Sequence, residues 1–245
     1  MTTPPSLDVI FRQEEASAHA LKNKTVVLID VLRVTSTLTT ALAAGAAEIR
    51  CYRTVREVFA ARRAMPGRDV LLCGERNGSR VRGFDLGNSP RDFTPTRCRG
   101  RTLLVSSTNG TRALRLTHGA SNIILASFLN LSAVAAALQT MEKDIVFLCA
   151  GTEGHRSTDD IACAGAVMDA MSMRPFQRTP NAVTAVRIWR KARRSLKRFL
   201  LDSEGGEPLK RVGLERDAAD CARKNRYAIV PTITDRKDGW LVGML

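Results

Sequence analysis

The 245-residue sequence has no segment suited to crossing a membrane. None of its apolar runs approaches the ~20 residues that span a bilayer. Its first ten residues, MTTPPSLDVI, lack the basic and then apolar pattern of a secretory signal. We therefore expect a globular, cytoplasmic protein without membrane spans.

Paired cysteines and clustered histidines are also missing. The six cysteines include no C-x-x-C pair, and several lie inside apolar runs such as DVLLCGE and DIVFLCAG. Buried, reduced thiols are therefore expected rather than a disulfide framework. The three histidines stand far from one another and from any paired cysteines, which argues against the usual zinc patterns.

Acidic residues are few beside basic ones, 24 against 38, and the formal net charge is +14 at pH 7. A charge of this sign suggests an anionic partner. Residues 174–201 contain nine basic residues and no acidic ones. The segment VRIWRKARRSLKRF (186–199) could bind nucleic acid, with Trp189 or Phe199 stacking on bases.

A simpler interpretation of the same segment is an amphipathic helix whose cationic side is solvated. Its buried stripe would consist of Val186, Trp189, Leu196 and Phe199. We favour this interpretation and do not expect nucleic acid as a partner.

Short apolar runs alternate with alanine-rich segments of about helix length. The predicted strands are 26–30, 48–52, 69–75, 102–108, 122–127 and 144–151. Such alternation is typical of βα units, and nearly all-apolar strands are expected when helices cover both faces of a sheet. The sequence predicts a layered α/β fold with a largely parallel sheet and helices on both faces.

The pattern of apolar runs and helical segments changes after about residue 173. Residues 1–173 are predicted to form the main α/β domain, interrupted by a long Gly/Pro/Asn-rich loop over 76–101. The portion 174–245 contains a basic helix over 182–200, a further helix and the strand YAIVPTI. It either forms a second α/β lobe or belongs to the same domain.

Polar residues follow four of the predicted strands, and in parallel sheets ligands bind beyond the carboxyl ends of strands. These groups are DVLRVTST from Asp30, GERN from Gly74, TNGTR from Thr108 and GTEG from Gly151. They and the segments that follow contain the carboxylates Asp30, Glu75, Asp85, Glu153, Asp159 and Asp160. Carboxylates without histidines suit Mg²⁺, while Arg33, Arg112 and helix N-termini suit a phosphate. Together they indicate metal-assisted chemistry on a phosphoester.

Each of these groups also has a structural interpretation. Asp159 and Asp160 could cap a helix and favour its dipole, and SSTNGT or FDLGNSP could be ordinary turns. Asp30 could cap the end of its strand.

A second enzyme interpretation is a haloacid-dehalogenase-type phosphatase, which needs the motif D-x-D after the first strand. Leu32 occupies the position of the second aspartate, which disfavours this class.

Five blocks of sequence resemble the ComB family, the 2-phosphosulfolactate phosphatases of coenzyme M biosynthesis. The blocks are IDVLRVTSTLTTAL, GERNGSRVRGFDLGNSP, TLLVSSTNGTRAL, CAGTEGHRSTDDIACAG and LKRVGLERDAADCARKN. The resemblance implies a ComB-type α/β fold and Mg²⁺-dependent hydrolysis of the phosphate monoester of a small acidic 2-hydroxy acid. The basic C-terminal portion departs from the family, so a different small substrate is the alternative.

The resemblance and the chemistry of the residues together give a set of candidate site residues. The catalytic candidates are Asp30, Arg33 and Glu75. The phosphate-binding candidates are Arg33, Thr35, Asn109, Thr111 and Arg112. The metal-ligand candidates are Asp30, Asp85, Asp159 and Asp160. Which carboxylate binds metal, handles a proton or attacks stays open, and a homo-oligomer is expected from base rates.

Overall fold

The computed structural model describes residues 4–108, 110–171, 175–236 and 239–245. Within these ranges the chain forms one mixed sheet of eleven strands flanked by helices. The strands are β1 (Ser6–Ile10), β2 (Thr25–Ile29), β3 (Glu48–Cys51), β4 (Val70–Arg76), β5 (Ser79–Arg80), β6 (Thr102–Ser106), β7 (Asn122–Ala126), β8 (Ile145–Cys149), β9 (Gln177–Arg178), β10 (Pro231–Arg236) and β11 (Gly239–Met244).

The helices of the described residues lie mostly between consecutive strands. They are α1 (Ala18–Leu21), α2 (Val34–Ala43), α3 (Val55–Arg63), α4 (Pro95–Cys98), α5 (Gly110–Leu114), α6 (Leu131–Gln139), α7 (Thr158–Ala170), α8 (Pro180–Ala192), α9 (Leu196–Leu201), α10 (Gly206–Arg211) and α11 (Arg216–Cys221). Short 3₁₀ turns cover 13–15, 90–92, 115–117 and 128–130.

The strand order across the sheet is β5-β4-β6-β3-β11-β10-β7-β2-β8-β1-β9. Strands β4, β6 and β3 pair in parallel on one side, and β7, β2, β8, β1 and β9 pair in parallel on the other. The hairpin of β10 and β11 lies between the two groups and runs antiparallel to β7 and β3. The predicted α/β fold with a largely parallel sheet is confirmed.

The sheet is covered on both faces, as its apolar strands predict. In the fully buried strand β2, Val27 and Ile29 join one apolar cluster with residues of α6, α7 and α8. Val26 and Leu28 join a second cluster with residues of α2 and α5. Burying each side chain of this size stabilises the fold by about 1.5–3 kcal/mol relative to leaving it exposed. The carboxyl end of β2 is thereby held between two packed layers.

The C-terminal portion contributes to the same sheet as the first 173 residues, because β10 and β11 occupy its middle. The strand that the sequence predicts from Tyr227 begins only at Pro231. Proline has no N–H to donate to a neighbouring strand, and it is tolerated at the first residue of a strand.

The basic segment forms two helices rather than one, since α8 ends at Ala192 and α9 begins at Leu196. Of the predicted apolar stripe, Val186, Trp189 and Leu196 are buried in the apolar cluster that covers one face of the sheet. Phe199 is partly buried against that cluster. The ring of Trp189 lies 5.7 Å from that of Phe128. The amphipathic interpretation is confirmed for the apolar side of this segment.

The cysteines and the helices agree with two further expectations. All six cysteines are buried and form no disulfide. Among the described residues, every helix is too short or too polar to traverse a lipid bilayer.

Candidate active site

Asp30 lies at the carboxyl end of β2 in a turn that starts helix α2. Its Oδ1 accepts the backbone N–H of Val34 at 3.1 Å. The hydroxyl of Thr35 donates to the carbonyl of Asp30 at 2.8 Å and accepts the N–H of Asp30 at 3.2 Å. Both side chains are buried. Thr35 was predicted to bind phosphate at the helix start, but its backbone N–H donates to the carbonyl of Asp30 at 2.9 Å, so both its hydroxyl and its N–H close the turn.

The start of α5 lies directly against this turn and explains the glycine in TNGTR. A β-carbon on Gly110 would lie 2.8 Å from Cγ1 of Val34 and 3.0 Å from Oδ2 of Asp30. Such distances require the neighbouring atoms to shift. Glycine at this position therefore allows α5 to approach the carboxylate of Asp30.

Asp160 joins the ends of two neighbouring strands. Its Oδ1 accepts the N–H of Val31, which follows β2, at 2.8 Å. Its Oδ2 accepts the N–H of Gly151, which follows β8, at 3.1 Å. Burial, together with the charges of Asp159 and Asp30, raises the pKa of Asp160 well above its ordinary value. The two carboxylate oxygens therefore hold the carboxyl ends of β2 and β8 together.

Asp159 is buried beside Asp160 at the start of α7. It accepts a hydrogen bond from the hydroxyl of Ser157. A β-carbon on Gly205 would lie 2.6 Å from Oδ2 of Asp159, so a larger residue at position 205 would displace this carboxylate. Burial raises the pKa of Asp159, and the charge of Glu204 adds to this effect.

Glu75 joins the ends of β4 and β6 in the same way. Its Oε1 accepts the N–H of Thr108 at 2.7 Å. Its Oε2 accepts the hydroxyl of Thr108 at 3.1 Å and the N–H of Gly78 at 2.9 Å. Glu75 therefore holds two strand-end loops beside Asp30.

Arg33 is buried and ion-paired, although it lies in a loop. Its Nη1 donates to Oδ2 of Asp217 on α11 at 2.9 Å, and its Nη2 donates to the carbonyl of Gly78 at 2.8 Å. The other oxygen of Asp217 accepts the hydroxyl of Ser89 at 2.7 Å. Sequence reasoning did not select Asp217, because nothing in LERDAADC distinguishes it from the other carboxylates of that helix.

A cleft of about 70 Å³ opens at these strand ends. Its polar lining residues are Asp30, Arg33, Glu75, Asn77, Asn88, Thr108, Thr152 and Glu153. The wall is completed by Gly205, Pro208 and Leu209 from the C-terminal portion. Residues of both predicted parts of the chain therefore form one cleft.

The electrostatics of the cleft favour a bound cation. Its described lining carries the carboxylates of Asp30, Glu75 and Glu153, of which the exposed Glu153 pairs with Arg211 at 3.1 Å. The one cationic side chain of this described lining, Arg33, already pairs with Asp217. Burial raises the pKa of Asp30 to about 7, and the charges of Glu75 and Asp159 add to the rise, against the opposing effects of the Val34 N–H and Arg33.

Some predicted site residues lie away from the cleft or outside the described structure. Asp85 is exposed, and its Oδ2 accepts the N–H of Leu72 at 2.8 Å. Arg112 is exposed on α5. Neither residue lines the cleft. Asn109 and the side chain of Thr111 lie outside what the structure describes, so their phosphate-binding roles stay predictions.

The carboxylates that line the cleft are oxygen donors, which Mg²⁺ prefers. Among the described residues, no group of three His, Cys, Asp or Glu side chains is arranged to hold a metal ion. Mg²⁺ is usually bound by one or two carboxylates, with water and substrate phosphate oxygens completing its coordination. Asp30 and Glu75 both line the cleft with oxygen donors and fit that pattern.

Buried carboxylates and a fixed arginine at the carboxyl ends of a parallel sheet suit a divalent cation and a phosphoryl group, as in a phosphoric monoester hydrolase of α/β fold. The sequence matches the 2-phosphosulpholactate phosphatase family over residues 10–236. The chain belongs to this family, as the resemblance predicts.

Similar proteins are known from several bacteria. A protein named probable 2-phosphosulfolactate phosphatase from Clostridium perfringens (strain SM101 / Type A) is 38% identical to this chain over 227 residues. The match covers 91% of this chain and 92% of the relative. The protein of that name from Symbiobacterium thermophilum is 37% identical over 220 residues, covering 89% and 94%. The one from Clostridium acetobutylicum is 34% identical over 231 residues, covering 94% and 97%. The similarity therefore extends over nearly the whole length of each protein.

Proposed function

We propose that this protein hydrolyses the phosphate monoester of 2-phosphosulfolactate to sulfolactate and inorganic phosphate, with Mg²⁺ bound in the cleft. The family and the names of its relatives support the activity and the substrate. A place in coenzyme M biosynthesis and a cytoplasmic location belong to the same proposal.

The charge balance of the cleft is the observation that supports the metal. Asp30, Glu75 and Glu153 line the cleft. Glu153 pairs with Arg211 at the surface and Arg33 pairs with Asp217, which leaves the carboxylates of Asp30 and Glu75. A phosphoester carrying further acidic groups would meet net negative charge there. Like charges repel strongly where water is excluded, so the substrate needs a cation that binds with it.

The residues of the cleft then have distinct tasks. Asp30 and Glu75 would hold the cation, and Arg33 would donate N–H groups to the phosphoryl oxygens. When bound, a divalent cation neutralises charge on the phosphoryl oxygens and lowers the pKa of a water molecule. Water adds to phosphorus and the bond from phosphorus to the ester oxygen breaks. One proton of that water passes to the ester oxygen, which leaves as the hydroxyl of sulfolactate, and the phosphoryl group is released as inorganic phosphate.

The other predicted residues have supporting tasks in this proposal. Asp160 holds the ends of β2 and β8 together through two backbone N–H groups. Asp159 lies behind Gly205 and adds negative charge that favours a cation near Asp30. Asp85 is the least suited of the metal candidates, because its carboxylate is exposed and does not line the cleft.

The lining of the cleft supports a small polar substrate. Most of its described lining residues are polar or charged and none of them is aromatic, so the cleft offers no ring on which a nucleotide base could stack. The long-range field of the protein acts in the same sense, because a net charge of +14 attracts small anions to its surface. A small, multiply anionic phosphoester is therefore the expected class of substrate.

The decisive experiment measures phosphate release from a panel of phosphoesters with Mg²⁺ and with EDTA. We expect 2-phosphosulfolactate to be the best substrate, phospholactate to be slower and an aryl phosphate without a further acidic group to be slowest. EDTA should abolish release, and excess Mg²⁺ should restore it. Release that ignores EDTA would refute the metal, and a better turnover of phospholactate would move the assignment to another small acid.

A further inference from the structure

The buried ion pair between Arg33 and Asp217 joins parts of the chain that are 184 residues apart. The side chains are 3% and 1% exposed, respectively. Removing two charges from water costs free energy that their mutual attraction only partly returns, so a buried ion pair is weak grounds for stability. Its place beside the cleft points to a different purpose.

Both oxygens of Asp217 have a defined partner. Oδ2 accepts Nη1 of Arg33, and Oδ1 accepts the hydroxyl of Ser89. The backbone N–H of Asp217 donates to the carbonyl of Leu214 at 2.9 Å, which anchors the residue at the start of α11. The carboxylate therefore cannot rotate without losing a hydrogen bond.

The guanidinium of Arg33 is held by two acceptors from different elements. Nη1 donates to Asp217 on α11 and Nη2 donates to the carbonyl of Gly78 after β4. A guanidinium is a rigid planar fork with five N–H donors, so two such contacts determine the orientation of its plane. Arg33 also lines the cleft beside Asp30.

We propose that Asp217 is a positioning residue that sets the plane of the Arg33 guanidinium for the phosphoryl group. This inference rests on the proposed phosphatase function. Asp217 touches neither the substrate nor the cation and acts through Arg33. The C-terminal portion thus contributes to the reaction as well as to the sheet, which explains why α11 is packed against the loop of Ser89 and Pro90.

The test is a double-mutant cycle between Asp217→Asn and Arg33→Lys. Asparagine keeps the size of the side chain and removes its charge, while lysine keeps the charge of Arg33 and removes the planar fork. In the wild-type background we expect Asp217→Asn to lower kcat/KM about 10- to 100-fold, mainly through kcat, since a small misplacement of a catalytic group can cost about 100-fold.

In the Arg33→Lys background the same substitution should cost less than about twofold, because there is no fork left to orient. An equal loss in both backgrounds would overturn the inference, since Asp217 would then act independently of Arg33. Unchanged kcat/KM after Asp217→Asn in a folded protein would also overturn it.

Two further variants keep the test valid if Asp217→Asn folds poorly. Ser89→Ala removes only the hydrogen bond to Oδ1 of Asp217, and it should cause a smaller loss that again disappears in the Arg33→Lys background. Asp220→Asn is the matched control, because Asp220 lies on the same helix but pairs with Arg91 and Arg223 at the surface. It should leave kcat/KM within twofold of the wild type.

Binding of inorganic phosphate in the presence of Mg²⁺, measured by calorimetry, separates this inference from the proposed function. We expect Asp217→Asn and Arg33→Lys each to weaken phosphate binding several-fold, and the double variant to bind no more weakly than Arg33→Lys. This pattern would uphold the inference even if the wild type hydrolysed none of the phosphoesters. Undiminished phosphate binding by both single variants would overturn the inference, whatever the activity.

Discussion

Two regions of this protein concentrate charge, the strand-end cleft and the helix pair α8 and α9. They differ in how far their arginine side chains are exposed to solvent. In the cleft, the side chain of Arg33 is 3% exposed and has defined partners. In the helix pair, the side chain of Arg198 is 84% exposed and pairs only with Asp202 one helical turn away. Exposed pairs contribute little to stability, whereas buried charges are costly. Burial, rather than density of charge, therefore marks the functional region.

The signs of the two regions also differ. The helix pair is strongly basic and supplies much of the net charge of +14, while the cleft carries three carboxylates beside one arginine among its described residues. The basic surface attracts anions from a distance, and we propose that the cleft binds them together with a cation. The predictions below alter one region while the other serves as the control.

The largest effect is expected from Asp30→Asn. Removing this carboxylate removes a proposed ligand of the cation, so kcat should fall roughly 10³-fold, within the range typical for loss of a directly participating group. Steady-state phosphate release with saturating Mg²⁺ measures it. Asp202→Asn in the helix pair is the control and should leave kcat unchanged, since Asp202 only pairs with exposed basic residues. Turnover of Asp30→Asn at the wild-type rate would remove Asp30 from the mechanism.

A smaller loss is expected from Gly110→Ala. The new methyl group would press on Val34 and on Oδ2 of Asp30, and displacing a catalytic group by a fraction of an ångström should lower kcat about 10- to 100-fold. The matched control is Gly243→Ala in β11, where the nearest atom to an added β-carbon is Oγ1 of Thr232 at an ordinary 3.7 Å. Equal activity of the two variants would show that the start of α5 does not position Asp30.

Much of the sheet could be predicted from the sequence, because its buried strands are continuous apolar runs. The positions of β2, β4 and β8 were predicted to within a residue or two from such runs. Strand β1 was not predicted, because SLDVI is not a continuous apolar run and follows two prolines. The place of β10 and β11 in the middle of the sheet depends on long-range pairing that no local pattern records.

The residues of the site likewise include some that the sequence predicts and others that only the fold reveals. Asp30 and Glu75 could be found because each directly follows or ends a buried strand. Asp217 could not, because its importance comes from a contact with a residue 184 positions earlier in the chain. Asp85 was selected from a loop motif, and only the fold shows that its carboxylate lies outside the cleft lining. Local patterns thus identify the strand ends but not the partners brought to them.

A third prediction concerns the stability of the metal-free protein. The pKa of Asp30 is raised from 3.8 to about 7 in the folded protein, so folding favours its protonated form. The stabilising contribution of that protonation is fully present below pH 3.8 and is lost as the pH rises through 7. Asparagine does not ionise, so Asp30→Asn should be more stable than the wild type at pH 8, and this difference should shrink toward pH 4.

Thermal unfolding in EDTA between pH 4 and pH 8 measures this effect, and a rise in Tm of a few degrees is expected for Asp30→Asn at pH 8. Added Mg²⁺ should raise the Tm of the wild type more than that of the variant, because only the wild type retains the carboxylate. Asp202→Asn should show no such pH-dependent gain. A lower Tm for Asp30→Asn at every pH would contradict the proposed origin of the raised pKa.

The smallest effect is expected from reversing charge on the helix pair with Arg193→Glu, Arg194→Glu and Lys197→Glu combined. These side chains are exposed, so kcat should not change. The value of kcat/KM should fall about two- to threefold at low salt, because attraction of the anionic substrate is weakened, and should recover at 0.5 M salt. Gel retention of mixed nucleic acid should be negligible for both proteins at about 0.15 M salt. Tight retention by the wild type that the triple variant loses would instead make this face a nucleic-acid site, and exposed charge would then be functional here as well.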